Sequence, residues 1–151
     1  MAEGEKTIAT NRRARFDYEL SDTFEAGLVL SGSEVKALRN GTAQLQESFV
    51  KVGKGGLDLM NCTIPEYSHA GYAGHEPRRP RRLLLHGSEI EKLRKGMEQK
   101  GMTIVPLRMY FKGGRAKLAL ALGKGKKTHD KRHTIAERES KRRLDRVLKN
   151  R

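Results

Sequence analysis

The stretch VPLRMYFKGGRAKLALAL, residues 105–122, decides the fold. Val105, Leu107, Met109 and Phe111 alternate with other residues up to Lys112-Gly113-Gly114. Leu118, Leu120 and Leu122 repeat the alternation on the far side. Period two on both sides of a glycine turn predicts an antiparallel hairpin with one buried face. Pro106 carries no amide proton, so it predicts an edge or a bulge in its strand.

The same rule extends through the chain. Ala14, Phe16, Tyr18 and Leu20 alternate with Arg13, Arg15, Asp17 and Glu19, which predicts a strand over 13–20. Phe24, Ala26, Leu28 and Leu30 alternate with Glu25, Gly27 and Val29. A second hairpin joins 45–52 to 57–64 through Gly53-Lys54-Gly55-Gly56. Two helices interrupt the strands. Ser31 with Glu34 forms a capping box before Val35 and Leu38, and Ser88 with Glu91 another before Leu93 and Met97. About six strands with inserted helices predict a mainly β protein, a small closed OB-like barrel, with an open α+β sheet as the competing arrangement. Residues 65–82 read as a long loop containing Arg78, Arg79, Arg81 and Arg82.

Charge divides the chain further. Its 151 residues carry 32 Lys+Arg against 18 Asp+Glu, a net of +14, and residues 123–151 hold +8 of that. The expected organisation is a flexible N-terminus over 1–10, a barrel over 11–122 and a basic tail over 123–151. Leu144, Val147 and Leu148 share a helical face, but nothing between Ala136 and Leu144 is apolar. Such a tail is expected to be disordered alone and helical in a complex. Nucleic acid is the expected partner of so cationic a segment.

Composition excludes several classes. Cys62 stands alone, so no disulfide scaffold forms. No apolar run approaches the roughly 20 residues of a membrane-spanning helix, and residues 1–10 contain no secretory h-region. No metal or cofactor is expected: His129 and His133 are two imidazoles without further ligands. Asp17, Glu19, Asp22 and Glu25 read better as the polar side of a strand pair than as catalytic carboxylates. What remains is binding, with Arg13, Arg15 and Lys117 on polar faces, Tyr18 for stacking or packing, and Glu25 to accept from base amino groups or to orient an arginine. A structural ribosomal protein with a basic extension, and a nucleic-acid hydrolase using the Asp17–Glu25 carboxylates, stay open at this point.

Four blocks narrow the choice: TIATNRRAR (7–15), FEAGL (24–28), GSEVKALR (32–39) and KGKKTHDKR (124–132). In order and over nearly the whole chain they resemble the SsrA-binding protein family, also called SmpB. The resemblance implies an OB-like barrel in a bacterial cytoplasmic protein that is a monomer and not an enzyme. Such a protein binds the tRNA-like domain of transfer-messenger RNA (tmRNA) and brings it to stalled ribosomes for trans-translation. It also implies elongation factor Tu and alanyl-tRNA synthetase as partners through the shared RNA. By the same resemblance Asn11, Tyr18, Glu25, a leucine of the Leu83–Leu85 run, taken as Leu84, and Lys117 serve RNA binding, and Arg13, Arg15 and Lys124 join them as basic side chains on the same binding surface. Lys126, Lys127, His129, Asp130, Lys131, Arg132, Val147 and Leu148 serve the ribosomal decoding centre and the empty messenger channel.

Overall fold

The computed structural model describes residues 5–66, 75–126 and 128–149, with the side chains of 128–134 and 147–149 outside that description. Among the described residues seven strands form one antiparallel sheet in the order β1-β6-β7-β2-β5-β4-β3. They are β1 (Glu5–Thr10), β2 (Tyr18–Leu28), β3 (Phe49–Gly53), β4 (Gly56–Met60), β5 (Arg81–Leu84), β6 (Met102–Lys112) and β7 (Arg115–Gly125). Four helices of the described residues accompany them: α1 (Ala14–Asp17), α2 (Gly32–Asn40), α3 (Gly87–Met97) and α4 (Thr128–Lys149). Among the described residues no helix is long and apolar enough to cross a membrane.

The decisive hairpin is β6–β7, paired from Met102↔Lys124 to Lys112↔Arg115. Gly113 and Gly114 both take positive φ, 59° and 76°, as a two-residue primed turn demands. The register shifts between Pro106 and Arg108, so the proline marks a bulge rather than an edge; β6 has a neighbour on each side. Leu118 and Leu120 are fully buried, as is Met109 opposite Leu118. Ala26 on β2 and Leu57 and Leu59 on β4 complete that side of the core. Leu93 of α3 is also fully buried, and Gly96 admits Leu122 so closely that a Cβ there would meet its Cδ1 at 2.5 Å.

Several expectations change. The mainly β class holds, but the barrel does not close: β1 and β3 are the two ends of the ladder. The sheet curls until β3 lies beside β6, yet no ladder joins them. The alternation over 13–20 predicted a strand, whereas Ala14–Asp17 form one helical turn and β2 begins at Tyr18. Burying Ala14 while Asp17 holds Arg13 at 3.4 Å satisfies that turn. The two strands expected from 13–20 and 24–30 are thus one long β2, with a bulge between Leu20 and Thr23. Glu5–Thr10, expected as flexible, pair with β6 as β1. The capping box of α2 forms as expected. Ser31 N–H donates to Glu34 at 2.9 Å and Ser31 Oγ accepts from Glu34 N–H. In α3 the start moves two residues earlier, with His86 N–H donating to Glu89 Oε1 at 3.2 Å. His86 and Glu89 have the same i, i+3 spacing as Ser88 and Glu91.

The expected 65–82 loop ends in β5, and Arg81 on it is fully buried. Its partner is Glu34, also fully buried, which accepts from Arg81 Nε at 2.6 Å and from Arg79 Nε at 3.1 Å. Arg81 also donates to Cys62 O at 2.5 Å and to Pro77 O at 3.1 Å. Burial alone pushes the Glu34 carboxyl upward; hydrogen bonds from Arg79, the Ser31 amide and Arg81 outweigh it and hold it down to about 2. Beside the pair, His75 Nε2 donates to Ile64 O at 2.8 Å. A carbonyl only accepts, so in the neutral ring Nδ1 accepts the hydrogen bond from the Ser33 hydroxyl at 2.9 Å. These contacts tie α2 to β5 and fix where Leu83, Leu84 and Leu85 lie.

Candidate nucleic-acid interface

Directly opposed residues of neighbouring strands share a face. Thr7 faces Tyr110, Tyr110 faces Lys117, Lys117 faces Gly27 and Gly27 faces Leu84, a rung across five strands on the side away from the core. The next rung carries Thr10, Arg108, Ala119 and Glu25. Three residues singled out in the sequence, Glu25, Leu84 and Lys117, therefore meet. With Gly27, Leu85, His86 and Glu89 they line a cleft of about 490 Å³. Leu84 is 58% exposed there, an apolar rim to the cleft.

The charges on this face are held in a fixed arrangement. Glu25 accepts from the Tyr110 hydroxyl and from Lys112 Nζ at 3.5 Å. The Tyr110 hydrogen bond draws its carboxyl below the usual range, against a smaller upward push from burial, with Lys112 and Lys117 helping. Tyr110 is pushed upward by burial first and by Glu25 second, so it stays a donor. Arg108 lies over the Tyr110 ring at 4.1 Å and pairs with Glu5 at 3.0 Å. An ionised Glu25 with free lone pairs, a lysine beside it and an exposed leucine can accept from base edges, meet a phosphate and pack on a sugar or base.

A second group surrounds α1. Asn11 N–H donates to Leu107 O at 2.8 Å and its Nδ2 to Pro106 O at 2.9 Å, which latches the chain onto the β6 bulge. Its Oδ1 is buried with no partner among the described residues. Arg13 and Arg15 are exposed, and Arg13 lies over Phe16 at 5.4 Å. Tyr18 is half-buried opposite Gly125 and packs beside Gly123, where a Cβ would meet Tyr18 Cβ at 3.2 Å. Lys124 is exposed opposite Glu19. Lys126 closes α1: its N–H donates to Asp17 O and its Nζ to Arg15 O, both at 2.9 Å. Asn11 and Arg15 share a cleft of about 270 Å³ with Arg108 and Ala119, so this group adjoins the polar sheet face.

Lys127 lies outside the described residues, as do the side chains of His129, Asp130, Lys131, Arg132, Val147 and Leu148. The described α4 side chains, Ile135 through Arg146, are all exposed, with Ile135 at 42% and Leu144 at 60%.

Tyr110, Arg108 and Lys112 are functional candidates that sequence reasoning missed. The signal was present: all three fall out of phase with Val105, Leu107, Met109 and Phe111. Asp17 and Glu25 do not pair as carboxylates, because each has its own cation in Arg13 and Lys112.

A family model described as SmpB protein matches residues 8–150. An SsrA-binding protein of Thermobifida fusca (strain YX) is 54% identical over 149 residues, covering 99% of this chain and 93% of that protein. One from Sphingomonas elodea is 55% identical over 147 residues, covering 97% and 92%. A chain from a solved structure described as "tmRNA-SmpB: a journey to the center of the bacterial ribosome" is 47% identical. It superposes with a TM-score of 0.68 over 82% of this chain and 87% of its own. An antiparallel sheet with an ordered polar face and a protruding basic helix defines the class as a small, cationic β-sheet protein. Within that class the sequence match is specific over nearly its full length. The chain belongs to the SmpB family.

Proposed function

We propose that this chain binds the tRNA-like domain of tmRNA and delivers it to stalled ribosomes for trans-translation. The observation that carries the reading is the 47% identity to a chain from a tmRNA-SmpB ribosome structure, with the same fold over most of both chains. The Glu25–Leu84–Lys117 cleft is the RNA grip, and Arg13, Arg15 and Lys124 add phosphate contacts from beside it. Asn11 acts through the β6 bulge, by placing α1. The sheet acts as an open, curled form of the OB-like platform.

The tail is the probe. Lys126, Lys127, His129, Asp130, Lys131 and Arg132 meet the decoding centre, and Leu144, Val147 and Leu148 seat α4 in the empty messenger channel. A channel lined with RNA supplies the counter-charge for a +8 segment, and message in the channel excludes it. The chain is a binding factor and not an enzyme: peptide transfer belongs to the ribosome. Elongation factor Tu and alanyl-tRNA synthetase meet it only through the shared RNA, and it works as a cytoplasmic monomer.

Replacing Leu144, Val147 and Leu148 together with serine tests the division of labour. Affinity for tmRNA is expected to stay within twofold while tagging on stalled ribosomes is lost. Equal loss of both would contradict it.

A further inference from the structure

The sheet forks at one end. β2 and β7 stay paired as far as Gly27↔Lys117. Beyond it β2 follows β5 through Leu28↔Leu83, while β7 follows β6 to Lys112↔Arg115. On the β2 side Arg115 and Ala116 therefore have no strand neighbour among the described residues. A cleft of about 300 Å³ opens in the fork, at the small end of the roughly 300–1,000 Å³ range of ligand clefts. Leu28 and Leu30 line one prong and Ala116 and Phe111 the other, with Val35 of α2 beside them. Leu28, Leu30 and Phe111 are only partly buried against the core, so the fork leaves an apolar face open. Among the described residues no carboxylate lines this cleft; its charged side chains are Arg115 and Lys117. Neither makes an ion pair among the described residues. Lys117 favours the ionised form of Glu25, but that carboxylate bonds to Tyr110 and Lys112 instead.

We infer that the fork binds a small amphipathic anion, an aromatic ring or short alkyl chain ending in a carboxylate. The apolar body sits among Leu28, Leu30, Val35 and Phe111, where its removal from water is favourable. The carboxylate meets Arg115, whose planar guanidinium can take it through two parallel hydrogen bonds, and Lys117 adds a second positive charge. Apolar walls with a few placed polar groups are the ordinary composition of a small-ligand site. A nucleobase is a poorer fit, because it would bury donors against side chains that accept nothing. The chain's own tail has the wrong sign, since residues 123–151 carry +8 and would meet two more cations. Leu84 and Lys117 line both this fork and the cleft assigned to RNA. Resting on that RNA-binding reading, the anion and the RNA exclude one another, and a bound anion lowers the affinity for RNA.

The test uses the full chain, first without RNA. It is titrated with 2-naphthoate and with the neutral 2-naphthamide, and the backbone amides are followed by NMR. Naphthoate is expected to bind saturably and to move the amides of Gly27, Val35 and 114–117. Naphthamide is expected to bind about tenfold more weakly, the worth of one charged hydrogen-bonded contact. Arg115 is exposed, so Arg115→Gln tests the contact without touching the core. It is expected to cost naphthoate most of that factor and to leave naphthamide unchanged. The tRNA-like domain of tmRNA is then titrated with naphthoate present at about ten times its dissociation constant, and is expected to bind about tenfold more weakly by mass action. Shifts confined to residues after Lys126, equal binding of the amide, or indifference to Arg115→Gln would overturn the site. So would occupation of the fork by an acidic, leucine-containing peptide but not by naphthoate. RNA affinity untouched by bound naphthoate would overturn the competition. If the tRNA-like domain fails to bind even without naphthoate, the function proposed above falls. The naphthoate titration then still decides the fork.

Discussion

The polar sheet face and the C-terminal helix carry the same kinds of side chain in opposite conditions. On the sheet, cations are placed before any partner arrives: Arg108 rests on Tyr110 and Glu5, and Lys112 on Glu25. On α4, every described side chain is exposed and the apolar Ile135 and Leu144 pack on no core. A preorganised face loses little entropy on binding and can select a shape, whereas an unsupported helix must have its order supplied from outside. The difference fits the proposed function, in which the sheet recognises and the tail senses.

Loosening the sheet while leaving the tail alone is expected to have the largest effect. Glu34→Gln leaves Arg81 buried without its counter-charge. It is expected to cost about 3–5 kcal/mol in urea unfolding and to weaken RNA binding by displacing β5. The same pair gives the fold a pH dependence. The Glu34 carboxyl sits at about 2 in the folded chain against an ordinary 4.5, so its contribution is complete above about pH 5 and is lost as pH falls toward 2. Acid titration of Glu34→Gln is expected to show a flatter loss of stability over that window.

A smaller effect is expected at the cleft. Lys117→Ala is expected to reduce tmRNA affinity on the order of tenfold and the salt slope by about 0.9, without changing the unfolding midpoint. Tyr110→Phe removes the donor that orders Glu25 and is expected to cost about 1 kcal/mol in stability. Leu144→Ser, on the other region, is expected to stay within about 0.5 kcal/mol in the same unfolding assay.

Much of this was legible beforehand. The β6–β7 hairpin, the bulge at Pro106, the β3–β4 hairpin and the α2 cap all follow from local pattern, and the structure bears them out. The outward placing of Glu25 and Lys117 follows from the same period of two. What failed was non-local. Arg81 reads as one more loop arginine because its partner Glu34 lies 47 positions earlier. Residues 13–17 alternate like a strand but close a helical turn, since Asn11 is tied to Pro106 and Leu107, and Lys126 to Asp17 and Arg15. Closure of a barrel depends on edge geometry, which alternation does not encode: β3 comes beside β6 without pairing.

Under the proposed function the sheet recognises the RNA and the tail does not. It is tested most directly by titrating the full chain, and a chain ending at Lys126, with tmRNA and with an ordinary tRNA across a salt series. Lys126 is the right end point because it still closes α1. Both forms are expected to prefer tmRNA by a similar ratio, the shorter one with a shallower salt slope. A preference that vanishes on truncation would contradict the account and make the tail a general polyanion clamp.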